Sequence, residues 1–265
     1  MSTGIVIYGT DPRQIVSALE LAEGLFHQFG SEATRAIFLE FVVRGGERTI
    51  DDHETSLSDL REKILNGEVS AFQVFNDGKT GGAPAISFGH NVPEFGGLSF
   101  IDVQIERAVR EIDGEIEKFL EDVVGRLSCK YAIAYDAEKS SIAYKYSTGV
   151  NLVRIFPFEN TSLFTRELPG RVPGSASYER EKLRMIYPLN VLNENHLEIR
   201  INDLSLREWI ISDSSRGSLK GIPNNMWLWT VKETDLVEVN NACGEAGVLL
   251  AWQKAPANKP ARKLP

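Results

Sequence analysis

All four tryptophans of this 265-residue chain, Trp209, Trp227, Trp229 and Trp252, lie between Tyr178 and Trp252. An indole carries a large apolar area and one N–H that needs a partner when buried. Four of them so close together require a dense packing centre, and any fold for this chain must supply one. The local pattern predicts helix over 177–187, ended at Pro188 because the residue before a proline avoids helical geometry. A second helix over 204–212 carries Trp209. Strand 226–231, helix 233–246 and strand 247–252 then read as a compact βαβ-like unit.

Upstream, helices and strands alternate irregularly. Strand 4–9 precedes Asp11-Pro12, an N-cap with proline at the first helical position. Ile15, Ala18, Leu19, Ala22, Leu25, Phe26 and Phe29 then recur at spacings of three and four, which predicts an amphipathic helix over 12–29. Strand 36–43 ends at Gly45-Gly46, a polar segment follows, and Ser56 opens a short helix with Leu57, Leu60 and Ile64. Strands are expected at 71–75, 84–89 and 98–105; in the last, Ile101, Val103 and Ile105 alternate with Asp102, Gln104 and Glu106. A long helix over about 107–127 and strands at 131–136, 141–146 and 151–156 complete this half. The order favours an α+β fold, a mixed or antiparallel sheet with helices on one face and a smaller Trp-rich α/β unit at the C-terminus. Prolines and glycines between 147 and 177 suggest a boundary near Pro169–Ser177. The expected division is a domain over 1–170, a subdomain over 171–253 and a disordered basic tail over 254–265.

Composition removes several function classes. A formal net charge of −8 disfavours a nucleic-acid binder that relies on bulk electrostatics. Apolar runs such as Val248–Trp252 fall far short of the roughly 20 residues of a membrane helix. The N-terminus shows no secretion signal. Cys129 and Cys243 stand far apart without a metal-ligand or redox spacing, which suits free thiols in a reducing compartment. A cytoplasmic location, no membrane association and no direct nucleic-acid contact are the expectations.

No motif carries recognisable chemistry. Asn76–Gly82 contains Gly-Lys-Thr, but Gln73 stands where a phosphate loop needs its first glycine, and turn residues follow where a helix should begin. The run Asp51-Asp52-His53-Glu54 offers metal-type donors, yet adjacent side chains in a polar loop diverge. No metal or cofactor is expected. Residues 101–125 hold eight acids against three bases. Asp113, Glu117, Glu121 and Asp122 on the long helix form either a solvated face or a docking surface for a basic partner. Asp213 and Arg216, near Trp209, read as a buried pair locking two helices or as interface residues, since Arg and Trp dominate interface energetics.

The run Arg184, Ile186-Tyr187-Pro188, Asn190 and Leu192, then Leu206, Glu208-Trp209-Ile210, Asp213, Arg216-Gly217 and Leu219, then Trp227, Trp229, Val231 and Ala246-Gly247, resembles bacterial immunity proteins encoded beside secreted or contact-delivered toxins. The resemblance spans about 178–252. It implies stoichiometric, cofactor-free binding to a cognate toxin, here one that acts in the cytoplasm, such as a nuclease or nucleotide-consuming enzyme, and not catalysis. The alternatives are an enzyme with a site dispersed over Arg184, His196, Glu208 and Asp213, or an adaptor subunit of a larger assembly.

Overall fold

The computed structural model describes residues 1–76, 85–96, 98–149, 153–167 and 176–254. β1 (Ser2–Tyr8) leads through a turn of 3-10 helix to α1 (Ile15–Gln28). β2 (Arg35–Arg44) and β3 (Glu47–Thr55) form a long hairpin about Gly45 and Gly46, both at positive φ. α2 (Leu57–Leu65) is capped by Ser56, whose hydroxyl accepts the Asp59 N–H at 3.1 Å. There follow β4 (Phe72–Phe75), β5 (Ile86–Asn91), the short α3 (Pro93–Gly96), β6 (Phe100–Ile105), α4 (Asp113–Arg126), β7 (Tyr131–Ala137) and α5 (Ser140–Ser147). The second half contains α6 (Thr161–Arg166), β8 (Leu189–Asn193), α7 (Glu194–Leu197), the two-residue pair β9 (Arg200–Ile201) and β10 (Leu204–Ser205), α8 (Leu206–Ile211), β11 (Ser218–Ile222), β12 (Met226–Thr230) and α9 (Leu236–Glu245).

Among the described residues ten strands make one sheet in the order β11-β12-β8-β7-β1-β6-β5-β4-β2-β3, and every neighbouring pair is antiparallel. The fold is α+β, as the alternation of elements predicts. β8, β12 and β11, from the Trp-rich segment, continue the sheet that β1 centres.

Side chains alternate across a strand, so the sheet has two chemically separate faces. Ile5 and Ile7 of β1, with Ile101, Val103 and Ile105 of β6, join the apolar stripes of α1, α2 and α4 on one face. Val6 and Tyr8 point the other way, into a core shared with α5, α6, α8, α9 and residues 248–251. Helices therefore cover both faces, not one. Trp209 and Trp229 are buried in this second core, while Trp227 and Trp252 are half-buried against it.

Several expected elements differ, each for a visible reason. Residues 141–146 are helix: Ser140, Ala143, Tyr146 and Ser147 are buried at helical spacing, and the apparent alternation of Ile142, Tyr144 and Tyr146 misleads. The polar segment 47–55 is the edge strand β3, whose partner β2 supplies the apolar side chains. Residues 177–187 hold only one 3-10 turn (Ser177–Glu179). The chain there bonds residues 248–251 instead of itself: Leu183 N–H to Val248 O (3.0 Å), Leu250 N–H to Leu183 O (2.8 Å) and Ala251 N–H to Arg184 O (3.1 Å). Residues 247–252 are accordingly an irregular segment with isolated bridges, and no βαβ unit forms. Residues 153–156 form no strand, and β8 and β11 are strands the pattern did not mark. The boundary at Pro169, the centre of the Gly-Lys-Thr motif and nearly all of the basic tail lie outside the described residues.

Candidate functional site

A cluster of buried polar groups sits beneath α5 and α6. Arg184, only 1% exposed, donates from Nη1 to the Tyr8 hydroxyl (2.8 Å) and to the Tyr146 carbonyl (2.9 Å). Its guanidinium lies 3.6 Å from the Tyr146 ring centroid and 4.3 Å from that of Phe164. Nε faces Glu159 Oε1 at 3.9 Å, within ion-pair range but too long for a hydrogen bond. Glu159, 2% exposed, accepts from the Tyr146 hydroxyl (2.7 Å) and the Ile155 N–H (3.0 Å). Tyr146 also bonds Tyr187 through their hydroxyls. Burial raises the Glu159 pKa above the usual range, against the lowering pull of Arg184 and these donors. The group is buried and pairs its own opposite charges at ion-pair distance, so it organises the core.

The residues of the dispersed alternative site each serve a local purpose. Arg184 belongs to this buried group. His196 is buried, with Nε2 2.9 Å from the Tyr178 carbonyl and Nδ1 accepting the Asn193 N–H at 3.2 Å; burial drives its pKa down to about 4. Glu208 closes a capping box with Ser205, whose N–H holds its carboxyl below the usual range. Asp213 caps the 3-10 turn Ser214–Arg216 by accepting the Ser215 N–H at 2.9 Å.

Asp213 and Arg216 are not a buried pair. Asp213 is exposed, and Arg216 turns to Trp209, its guanidinium 4.4 Å from the indole centroid and Nη1 2.9 Å from the Trp209 carbonyl. Gly217 (φ 95°) makes this turn possible, because a Cβ there would meet the Thr230 carbonyl oxygen at 2.1 Å. Trp229 Nε1 donates to the Arg216 carbonyl at 2.7 Å and fixes the turn from below. The result is a surface cleft of about 230 Å³ lined by Trp209, Asp213, Arg216 and Glu238, with arginine preordered on tryptophan.

On α4, Asp113 is exposed at the first position of the helix and Asp122 is exposed about two and a half turns further on. Glu117 and Glu121 are half-buried and share Lys220 of β11, at 3.8 and 2.6 Å. That lysine cancels part of the field the acid count implies. The Asp51–Glu54 run lies on β3, not in a loop, so its side chains alternate between faces; His53 Nε2 sits 3.3 Å from Glu40.

A second buried carboxylate lies on β6. Asp102 and Gln104, which alternate with Ile101, Val103 and Ile105, are buried like their apolar neighbours. Asp102 Oδ1 accepts from Asn91 Nδ2 (2.7 Å) and Oδ2 from Gln104 Nε2 (2.8 Å), and Gln104 Oε1 accepts from Ser87. Burial raises the Asp102 pKa to about 6. Register places Gly89 of β5 beside it, and a Cβ on Gly89 would stand 2.5 Å from Asp102 Oδ1. The missing side chain opens a depression of about 150 Å³ reaching Ile37, Leu39, Asp52, Gln73 and Tyr144. A glycine inside a strand was the available signal, since it marks a close approach over the sheet.

No protein-family model matches the chain, and no curated protein matches it. Among solved structures, the Pseudomonas aeruginosa T6SS protein PA0821 superimposes with a TM-score of 0.56 at 13% identity, over 97% of this chain and 76% of that one. At this identity the likeness is one of fold. It extends across the whole sheet, well beyond residues 178–252.

Proposed function

We propose that this protein belongs to a bacterial secretion system and acts as an immunity protein, binding a cognate toxin stoichiometrically and blocking it. The observation that carries this reading is the shared fold with a T6SS protein over nearly the whole chain, joined to the C-terminal resemblance to immunity proteins. The surface is compatible: Arg216 stacked on Trp209 offers a rigid anchor of the residue types that dominate interface energetics. Among the described residues no helix is long and apolar enough to cross a membrane. With a net charge of −8, a basic toxin acting in the cytoplasm is the proposed partner, and long-range attraction would speed its capture.

The test is to co-purify the chain with the product of the adjacent open reading frame and to assay that product's toxicity with and without it. A one-to-one complex and loss of toxicity are expected. A toxic neighbour that neither binds nor is neutralised would overturn the reading.

A further inference from the structure

The helix layer over the Val6–Tyr8 face stops short of the sheet edge. α5 lies over β1, β6 and β7, and beyond it Ile37 and Leu39 of β2 are half-exposed while Ile50 of β3 and Val43 are open to solvent. The Asp102 depression lies at this margin. Paired register runs Glu54–Ile37–Gln73–Gly89–Asp102–Val6, so the carboxylate stands in the row where the open face meets the covered core. Its two neighbours in the row toward the edge are a glycine and a glutamine, and Tyr144 of α5 and Asp52 of β3 line opposite sides.

A buried carboxylate is normally matched by a cation or else protonated. Among the described residues no lysine or arginine forms an ion pair with Asp102; only neutral amides from Asn91 and Gln104 bond it. Asp52 adds a second acid at the rim, and Tyr144, itself exposed, adds an aromatic wall. Carboxylate floor, aromatic wall and aliphatic margin are the three surfaces that a guanidinium on an alkyl stem satisfies together, through charge-assisted hydrogen bonds, stacking and stem burial.

We propose that this depression receives an arginine side chain presented by the surface of the partner protein, with Asp102 as its counter-ion and Tyr144 and Leu39 against its stem and head. The inference rests on the partner-binding reading and names one anchor for it. Charge complementarity supports the choice, because in an acidic chain a carboxylate that borders a depression and has no ion-pair partner among the described residues selects a basic side chain.

The site can be tested without the partner, using N-acetyl-arginine amide as the probe and N-acetyl-citrulline amide as its uncharged counterpart. Carboxyl-detected NMR of the full chain follows Asp102, with Asp52 and Tyr144 monitored as the titrating groups facing it. The arginine probe is expected to shift the Asp102 signal saturably and to lower its titration midpoint by roughly one unit, as a nearby opposite charge does. Citrulline amide should leave it unmoved. Asp102→Asn should weaken probe binding about tenfold, the worth of a hydrogen bond to a charged group. Because that variant could also disturb folding, Leu39→Lys supplies a second arm: its tethered ammonium should occupy the recess, lower the Asp102 midpoint without probe and exclude the probe. An unmoved Asp102 signal, equal binding of both amides, or undiminished probe binding by Leu39→Lys would overturn the proposal. None of these outcomes bears on whether the chain neutralises a toxin, which the co-purification decides separately.

Discussion

Two carboxylates are buried on the same side of one sheet, and they are treated in opposite ways. Glu159 is enclosed with Arg184, two backbone amides and a tyrosine hydroxyl. Among the described residues Asp102 has only neutral donors, with a recess beside it. The first arrangement holds its own counter-charge and is buried beneath α5 and α6, where it serves the packing of the core. The second leaves a charge to be matched from outside. Burial alone does not distinguish a structural acid from a binding acid; whether the protein provides the cation does.

The comparison breaks most visibly at Arg184. Arg184→Met leaves Glu159 buried without a cation, and breaking one side of a buried pair costs about 3–5 kcal/mol. Urea unfolding at neutral pH should show a loss of that size. Among the described residues Asp102 has no such partner to lose, and its signature is pH dependence instead. Its folded pKa, about 6, lies above the unfolded value near 3.8, so its contribution is fully present below the unfolded value and is lost as pH rises through 6. The loss is about 3 kcal/mol on complete ionisation. Stability of the native chain minus that of Asp102→Asn should therefore fall by roughly that amount from pH 3.5 to pH 7. His90 and His196, both held neutral by burial with pKa near 4, contribute with the opposite sign: stability present above about 6.5 and lost as pH falls through 4. The double comparison with Asp102→Asn removes their effect because both proteins carry them.

A smaller effect is expected at Gly89. Gly89→Ala presses a methyl against the Asp102 carboxylate and should destabilise the chain by about 1–3 kcal/mol, the usual range for overpacking, while also filling the recess. The smallest concerns α4. Lys220→Ala frees Glu117 and Glu121, and because ion pairs at the surface contribute little, thermal melting should hardly change. Association with a basic partner should nevertheless quicken at low salt, because the acidic face gains field.

How much of this was legible in the sequence follows from the range of the interactions involved. α1, α2, α4 and α9 and strands β1, β2, β4, β5, β6, β7 and β12 announce themselves by local periodicity, caps and turns. β3 does not, because an edge strand with polar side chains takes its stability from β2. Residues 177–187 mislead because their backbone bonds are made with 248–251, some 65 positions away. Asp102 and Gln104 look solvated because alternation reports two faces but not what covers them; α5, itself read as a strand, covers the second. Arg184 and Glu159 are brought together by contacts that no spacing encodes. Asp213 and Arg216 stand three residues apart in the sequence, but they are a cap and a cation on an indole, not a buried pair, and that geometry required the turn at Gly217.

Among the described residues Asp102 is a buried acid without an internal cation. The direct measurement is the titration of its side-chain carboxyl carbon by NMR in the full chain, with Asp102→Asn to assign the signal. A midpoint near 6, well above that of an exposed aspartate, is the predicted result. A midpoint at or below about 3.9, the ordinary aspartate value, would mean that a cation already neutralises Asp102 within the chain, and the distinction between the two carboxylates would fail.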